Sequence, residues 1–241
     1  NLYNHYDVFR SAIGYVPQED VMHRHLTVHE VLYYHARMIF PPEFTKVELD
    51  ERISRVLERL DLSHVSNSIV GDEVKRGLSG GQRKRLNVAM ELLAEPSLLL
   101  LDEPTSGLDS RTAISLIRQC RALAEAGRTV LMTVHQPRLE AFDLFDKLLL
   151  LTKGGKVAYF GPAEGARTYF EVRSDVAEEA AANPADYVLE ALDPADSVLS
   201  KPPEYWQNSF RVSRQYERFV GRRLKAGALR QIAEPAPSAK R

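Results

Sequence analysis

The chain's 241 residues are enough for one large domain, or one domain with an appendage, and a hydrophobic content of 44% is ample for a core. Its 32 basic and 33 acidic residues nearly cancel, so no global field argues for nucleic acid as a partner. A single cysteine, Cys120, excludes an intrachain disulfide and reads as a small buried helix residue, while no apolar run approaches the roughly 18 to 20 residues that span a bilayer.

Residues 12 to 17, Ala-Ile-Gly-Tyr-Val-Pro, form a short apolar strand that ends at Pro17 and delivers Gln18-Glu19-Asp20 to a loop. Thr27-Val28-His29-Glu30 has the spacing of a capping box and opens a helix to about Met38; Thr45-Lys46-Val47-Glu48 opens a second. Along that second helix Leu49, Ile53, Val56, Leu57 and Leu60 recur at helical spacing and bury one face. His23, His25, His29 and His35 gather in the same stretch. No cysteine or carboxylate completes a recognisable metal-ligand spacing there, so they read as a solvated helix surface.

Leu78-Ser79-Gly80-Gly81-Gln82 starts a third helix, with Ser79 and Gln82 again at capping-box spacing. Two glycines let backbone N–H groups approach an anion, and the helix N-terminus adds partial positive charge. As a bare triplet, Ser79-Gly80-Gly81 is an ordinary cap. Arg83-Lys84-Arg85 continue as a solvated first turn, and Leu86, Ala89, Met90 and Leu93 recur on one face behind them. Leu98 to Leu101, four leucines without alternation, predict a fully buried strand. It carries Asp102 and Glu103 to the C-terminal end, where open parallel sheets place their ligands. One carboxylate there can serve a metal and the other a water.

Ser106-Gly107-Leu108-Asp109 then forms a turn, with Asp109 placed to cap a helix that runs to about Ala126 and stops at Gly127. Thr129 to Val134 predict another buried strand, which delivers His135-Gln136-Pro137. Leu148 to Leu151 and Val157 to Phe160 flank Lys153-Gly154-Gly155-Lys156 as a hairpin with glycines at its turn. Strands alternating with helices from 12 to 151 argue for a parallel α/β sheet with an antiparallel hairpin at its end.

Leu-Ser-Gly-Gly-Gln, a basic helix, then Leu-Leu-Leu-Leu-Asp-Glu-Pro-Thr-Ser-Gly-Leu-Asp resembles the signature motif, Walker B strand and D-loop of ATP-binding-cassette (ABC) ATPases. Tyr15-Val16-Pro17-Gln18-Glu19-Asp20, Leu26-Thr27-Val28-His29-Glu30, Arg76-Gly77-Leu78-Ser79-Gly80-Gly81-Gln82-Arg83-Lys84-Arg85-Leu86, Val134-His135-Gln136-Pro137-Arg138 and Phe160-Gly161-Pro162 sharpen the resemblance. They look like the G-type (White-family) transporters, including bacterial relatives that carry forkhead-associated domains. Asn183-Pro184-Ala185-Asp186-Tyr187 extends the match to about residue 192.

The resemblance implies an ABC-type P-loop ATPase domain over residues 1–192, incomplete at its N-terminus, with a helical subdomain inserted at about 27–93. Residues 193–241 would connect it to a membrane domain. ATP and Mg²⁺ are the implied cofactors. Asp102 would bind magnesium, joined by Gln18; Glu103 would orient and deprotonate the attacking water; His135 would contact the γ-phosphate. Leu78, Ser79, Gly80, Gly81 and Gln82 would face the nucleotide of a partner cassette, Asp109 would link the two sites, and Arg83-Lys84-Arg85 could lie near phosphates. Implied partners are a second nucleotide-binding domain, a transmembrane domain and the membrane, with no nucleic acid. The implied setting is the cytoplasmic face of a plasma or inner membrane, with export of lipid-like or hydrophobic substrates as the task. A soluble ABC ATPase of translation or DNA repair is the alternative.

One departure matters. Gly-x-x-x-x-Gly-Lys-Ser/Thr, the Walker A loop, occurs nowhere in the sequence, and Gly154-Gly155-Lys156-Val157 lacks both its spacing and its hydroxyl. The expectation is an internal piece of a longer transporter, inactive as an ATPase by itself. Towards the C-terminus, Arg211, Arg214, Arg218, Arg222 and Lys225 recur every three or four residues and predict one basic helix, beside a membrane or simply solvated.

Overall fold

The computed structural model describes residues 9, 12–71, 77–135, 137–174, 183–192 and 201–224. Arg76, Gln136 and Lys225, each within a stretch singled out above, lie outside them. The chain divides into two compact units, Asn1–Pro137 and Arg138–Arg241.

The first unit is built on three parallel strands in the order β1-β2-β3: β1 Ile13–Val16, β2 Leu98–Leu101 and β3 Thr129–Met132. Ile13 pairs with Leu98, and Leu98 with Thr129, so all three strands finish level, with Val16, Leu101 and Met132 abreast. Between β1 and β2 the chain makes α1 (Val28–Ile39), α2 (Lys46–Arg59) and α3 (Gly80–Leu92). All three start in the predicted capping boxes: Thr27 with Glu30, Thr45 with Glu48, and Ser79 with Gln82. The stripe of α2 is buried as its spacing requires, with Leu49 and Ile53 at 0% exposure. α4 (Ser110–Glu125) connects β2 to β3, ending before Gly127 at φ +94°.

Two sequence expectations need correcting here. Leu98–Leu101 is not buried on both faces: Leu99 and Leu101 are buried, whereas Leu98 and Leu100 are half-exposed. β3 likewise alternates between exposed and half-buried residues, and Leu131 is 54% exposed. The described helices of this unit cover one face of the sheet only, so strands whose composition suits two covered faces behave as half-buried ones. The outer edge of β1 is closed by a side chain: Glu91 of α3 accepts the Tyr15 N–H at 3.1 Å. Gly14 makes room for this approach, since a Cβ there would sit 3.1 Å from Leu99 and Pro96 and 3.3 Å from Glu91.

The second unit has its own core. α5 (Leu139–Phe142) precedes the antiparallel pair β4 (Lys147–Leu151) and β5 (Val157–Pro162). Its turn places Gly154 and Gly155 at φ +81° and +72°, which explains the two glycines. Among the described residues this pair is a separate two-stranded sheet, not an extension of the parallel one. α6 (Ala166–Glu171) and α7 (Pro184–Leu192) follow. Asn183 accepts the Ala185 N–H at 3.1 Å and donates to Asp186 at 3.1 Å, and Tyr187 is fully buried, so Asn-Pro-Ala-Asp-Tyr is a helix start with an aromatic anchor.

α8 (Pro203–Arg211) drives Trp206, 0% exposed, into the same core, with its ring 5.1 Å from that of Phe170. Part of the stretch assigned to a connection is therefore packed core. The single basic helix expected here is interrupted. α8 ends at Arg211, and Ser213 caps a new turn by accepting the Tyr216 N–H; α9 (Arg214–Tyr216) and a wider turn over Glu217–Gly221 follow. Ser213 also donates to Phe210 O at 2.6 Å, a local bond that competes with continuing the helix.

Candidate functional site

The site lies just past the level ends of β1, β2 and β3. From the first strand comes Gln18, whose amide donates to Glu103 Oε2 at 3.0 Å. From the second come Asp102 and Glu103. Backbone pairing continues beyond the strands, with Asp102 N–H on Val16 O at 2.9 Å and Thr133 N–H on Leu101 O at 3.0 Å, so Asp102 is still in the sheet's register. Glu103 is not: its φ is +41°, in the left-handed region that residues with a Cβ avoid. Hydroxyls from both neighbouring strands reach Asp102. Tyr15 donates to Oδ2 at 3.3 Å and Thr133 to Oδ1 at 2.8 Å. Partial desolvation first, and then the Asp102 charge and hydrogen bond, push the Tyr15 phenol upward.

His135 and Glu103 line one open cleft of about 260 Å³ with Thr105 and Ser106. A larger cleft of about 340 Å³ in the second unit is lined by residues such as Phe142, Asp146 and Glu164 and holds no candidate residue. The chemistry therefore selects the smaller one. Magnesium takes hard oxygen ligands and commonly keeps several waters, needing only one or two carboxylates. Asp102, with one bonded hydroxyl on each oxygen and lone pairs to spare, and the Gln18 side-chain carbonyl form an all-oxygen set that fits this ion.

Packing and capping account for several residues of the signature stretch. Gly81 suits the packing: a Cβ there would lie 2.1 Å from Thr112 Cγ2, so any larger residue would force α3, α4 or Thr112 to shift. Leu78 turns its side chain into the core at 4% exposure, and Gln82 spends its carbonyl oxygen on the Ser79 N–H at 2.8 Å. Ser79 is exposed and Gly80 half-exposed. Asp109 caps α4, accepting from the Thr112 hydroxyl at 2.5 Å and from the Arg111 and Thr112 amides at 3.0 and 3.1 Å. The Thr112 hydroxyl first, and then the amides, hold its carboxyl below the usual range.

Arg83-Lys84-Arg85 is not a solvated turn. Lys84 is buried, at 8% exposure, and donates to Gln18 O while its ammonium stands 3.4 Å from Asp20. Arg83 donates to Asp20 Oδ2 at 3.3 Å and to Leu78 O at 2.8 Å, and Asn87 donates to Asp20 Oδ1 at 2.7 Å. Asp20 neutralises cations that would be unfavourable at a helix start. No spacing rule finds this cluster, because Asp20 and Asn87 lie 67 residues apart. The histidines also gain a partner the sequence did not reveal: His29 bonds Asp50 of α2 at 3.1 Å. Among the described residues no three His, Cys, Asp or Glu side chains converge as a metal centre.

Two acids and a glutamine meet at the ends of parallel strands, and comparison with known proteins gives the class. Residues 2–106 match the family described as ABC transporter, and residues 135–205 the family described as ABC-2 type transporter. The solved structure of cbiO1 from Clostridium perfringens, part of the ABC transporter complex cbiONQ, is similar at a TM-score of 0.56 and 26% identity, covering 68% of this chain and 62% of that one. The chain belongs to the ABC transporter family.

Within that family it is similar to the G type. ABC transporter G family member 28 of Arabidopsis thaliana is 46% identical over 185 residues, 77% of this chain and 17% of the relative. The broad substrate specificity ATP-binding cassette transporter ABCG2 of Bos taurus is 42% identical over 191 residues, 79% of this chain and 29% of the relative. The chain spans between 17% and 33% of the length of such relatives.

Proposed function

We propose that this chain supplies the ATP-hydrolysing site residues of a G-type ABC transporter, working as one of two cassettes that close on ATP. The observation that carries the reading is the meeting of Gln18, Asp102, Glu103 and Thr133 at the ends of three parallel strands, with His135 on the same cleft. Glu103, held by Gln18 at 3.0 Å, is the general base that orients and deprotonates the attacking water. His135 contacts the γ-phosphate. Asp102 and Gln18 would hold magnesium, which when bound neutralises charge on the phosphates. Ser79 and Gly80 present the start of α3, with its partial positive charge, to the nucleotide of the partner cassette. Asp109, fixed by its cap, stands beside that start, because Thr112 meets both Asp109 and Gly81.

In this reading residues 27–93 are the helical subdomain, and the task is ATP-driven movement of hydrophobic or lipid-like substrates from the cytoplasmic face of a membrane. Among the described residues no helix is long and apolar enough to cross a membrane, so the span would be supplied by a membrane domain. The test is Glu103→Gln in the full-length protein that contains this chain, reconstituted in lipid. ATP binding should persist, turnover should fall by about 10²- to 10⁴-fold, and a nucleotide-bound dimer should accumulate. Turnover within about threefold of the parent would remove Glu103 from the role of base.

A further inference from the structure

We propose that Thr133 is the positioning residue of this site, its hydroxyl setting Asp102 and Glu103 in one fixed arrangement; the inference rests on the function proposed above. A threonine hydroxyl has one proton to give and lone pairs to accept with. The proton goes to Asp102 Oδ1 at 2.8 Å, and the same oxygen accepts the Glu103 N–H at 2.7 Å. One atom thus bonds two consecutive residues just past the end of β2, one through its carboxylate and the other through its backbone. Of the two acids, Tyr15 reaches Asp102 and Gln18 reaches the Glu103 side chain.

The bond to the Glu103 amide lies where the chain most needs support. At φ +41° a residue with a Cβ stays only if its surroundings hold it, and the Glu103 carboxylate points where it does because its backbone turns there. Thr133 is placed to do this by the sheet. Met132 pairs with Leu101, and Thr133 N–H bonds Leu101 O at 3.0 Å, which seats Thr133 directly beside the strand end carrying both acids. Thr133→Val keeps the methyl and the branched shape but removes both bonds. Thr133→Ser keeps both and loses only the methyl.

The test has two arms. In the full chain without nucleotide, amide exchange at Glu103 should quicken by roughly tenfold in Thr133→Val and stay near the parent rate in Thr133→Ser. In the full-length protein, Thr133→Val should lower kcat by about 10- to 100-fold and raise the magnesium concentration needed for half-maximal rate, with Thr133→Ser restoring both. Unchanged exchange at Glu103 in Thr133→Val would overturn the inference. So would equal impairment of the serine and valine variants, or faster exchange spread evenly through β2 and β3, since each would indicate packing and not the hydroxyl. Active Glu103→Gln beside quickened Glu103 exchange would instead remove the proposed function and leave the hydrogen-bonded arrangement standing.

Discussion

Glutamate 103 sits in a backbone conformation that glycine would adopt freely, and disfavoured conformations of this kind cost on the order of 1 to 3 kcal/mol. The site therefore keeps an acid where folding alone would favour its loss, a pattern expected where a side chain serves chemistry. Glu91 is a second carboxylate in an unfavourable position. Burial pushes it upward, partly offset by the Tyr15 N–H. A carboxyl raised above its unfolded value adds stability at pH below that value and loses it as pH rises through the folded one. Above its folded value the ionised Glu91 therefore weighs against folding. Glu91→Gln, which can still accept the Tyr15 N–H, should melt above the parent at pH 7, and the two curves should converge below about pH 4. Equal melting temperatures at both pH values would show that Glu91 is adequately solvated. Cys120 needs no such argument: buried on α4, its thiol is pushed up to about 12, too high to be a nucleophile at neutral pH.

Helix α3 is where sequence and structure agree least simply. Its start was legible because Ser79 and Gln82 stand at capping-box spacing, and caps are local chemistry. The same holds for Thr27, Thr45 and Asp109, and for Gly127 as a stop. The resemblance to ABC ATPases gathered Gln18, Asp102, Glu103 and His135 before any coordinates, and the parallel register puts the first three together. What could not be read were contacts between distant segments: Asp20 to Arg83 and Asn87, Gly81 to Thr112, and Thr133 to both acids. The half-covered sheet was also illegible, because a run of leucines reports suitability for burial, not which neighbours are present.

Gly81→Ala forces its new methyl against Thr112 Cγ2 and should destabilise the full chain by about 1 to 3 kcal/mol. Adding Thr112→Ser, which removes that methyl and keeps the hydroxyl on Asp109, should recover most of the loss in denaturant melts. No recovery would mean that Gly81 is needed for its backbone and not for its lack of a side chain. Lys84→Met should leave Asp20 and Gln18 O short of a donor, at a cost of about 1 to 3 kcal/mol, with faster amide exchange over residues 17–20. An unchanged exchange rate there would show that Arg83 and Asn87 hold Asp20 without it.

Among the described residues there are two cores, one gathered around α1, α2, α3 and the parallel strands, the other around Tyr159, Tyr169, Phe170, Tyr187 and Trp206. Trp206 comes from a helix that the resemblance assigned to a connection, so Trp206→Ala should cost about 3 to 5 kcal/mol in the second unit. Exchange should quicken in β5 and α6, and protection retained there would show that α8 adds no support. The parallel sheet has unlike borders. On β1 the outward Tyr15 N–H is already claimed by Glu91, whereas among the described residues no strand pairs beyond β3. A further strand, whether from the same polypeptide or from another molecule, would meet an unpaired border at β3 among the described residues and, at β1, an N–H that Glu91 already holds.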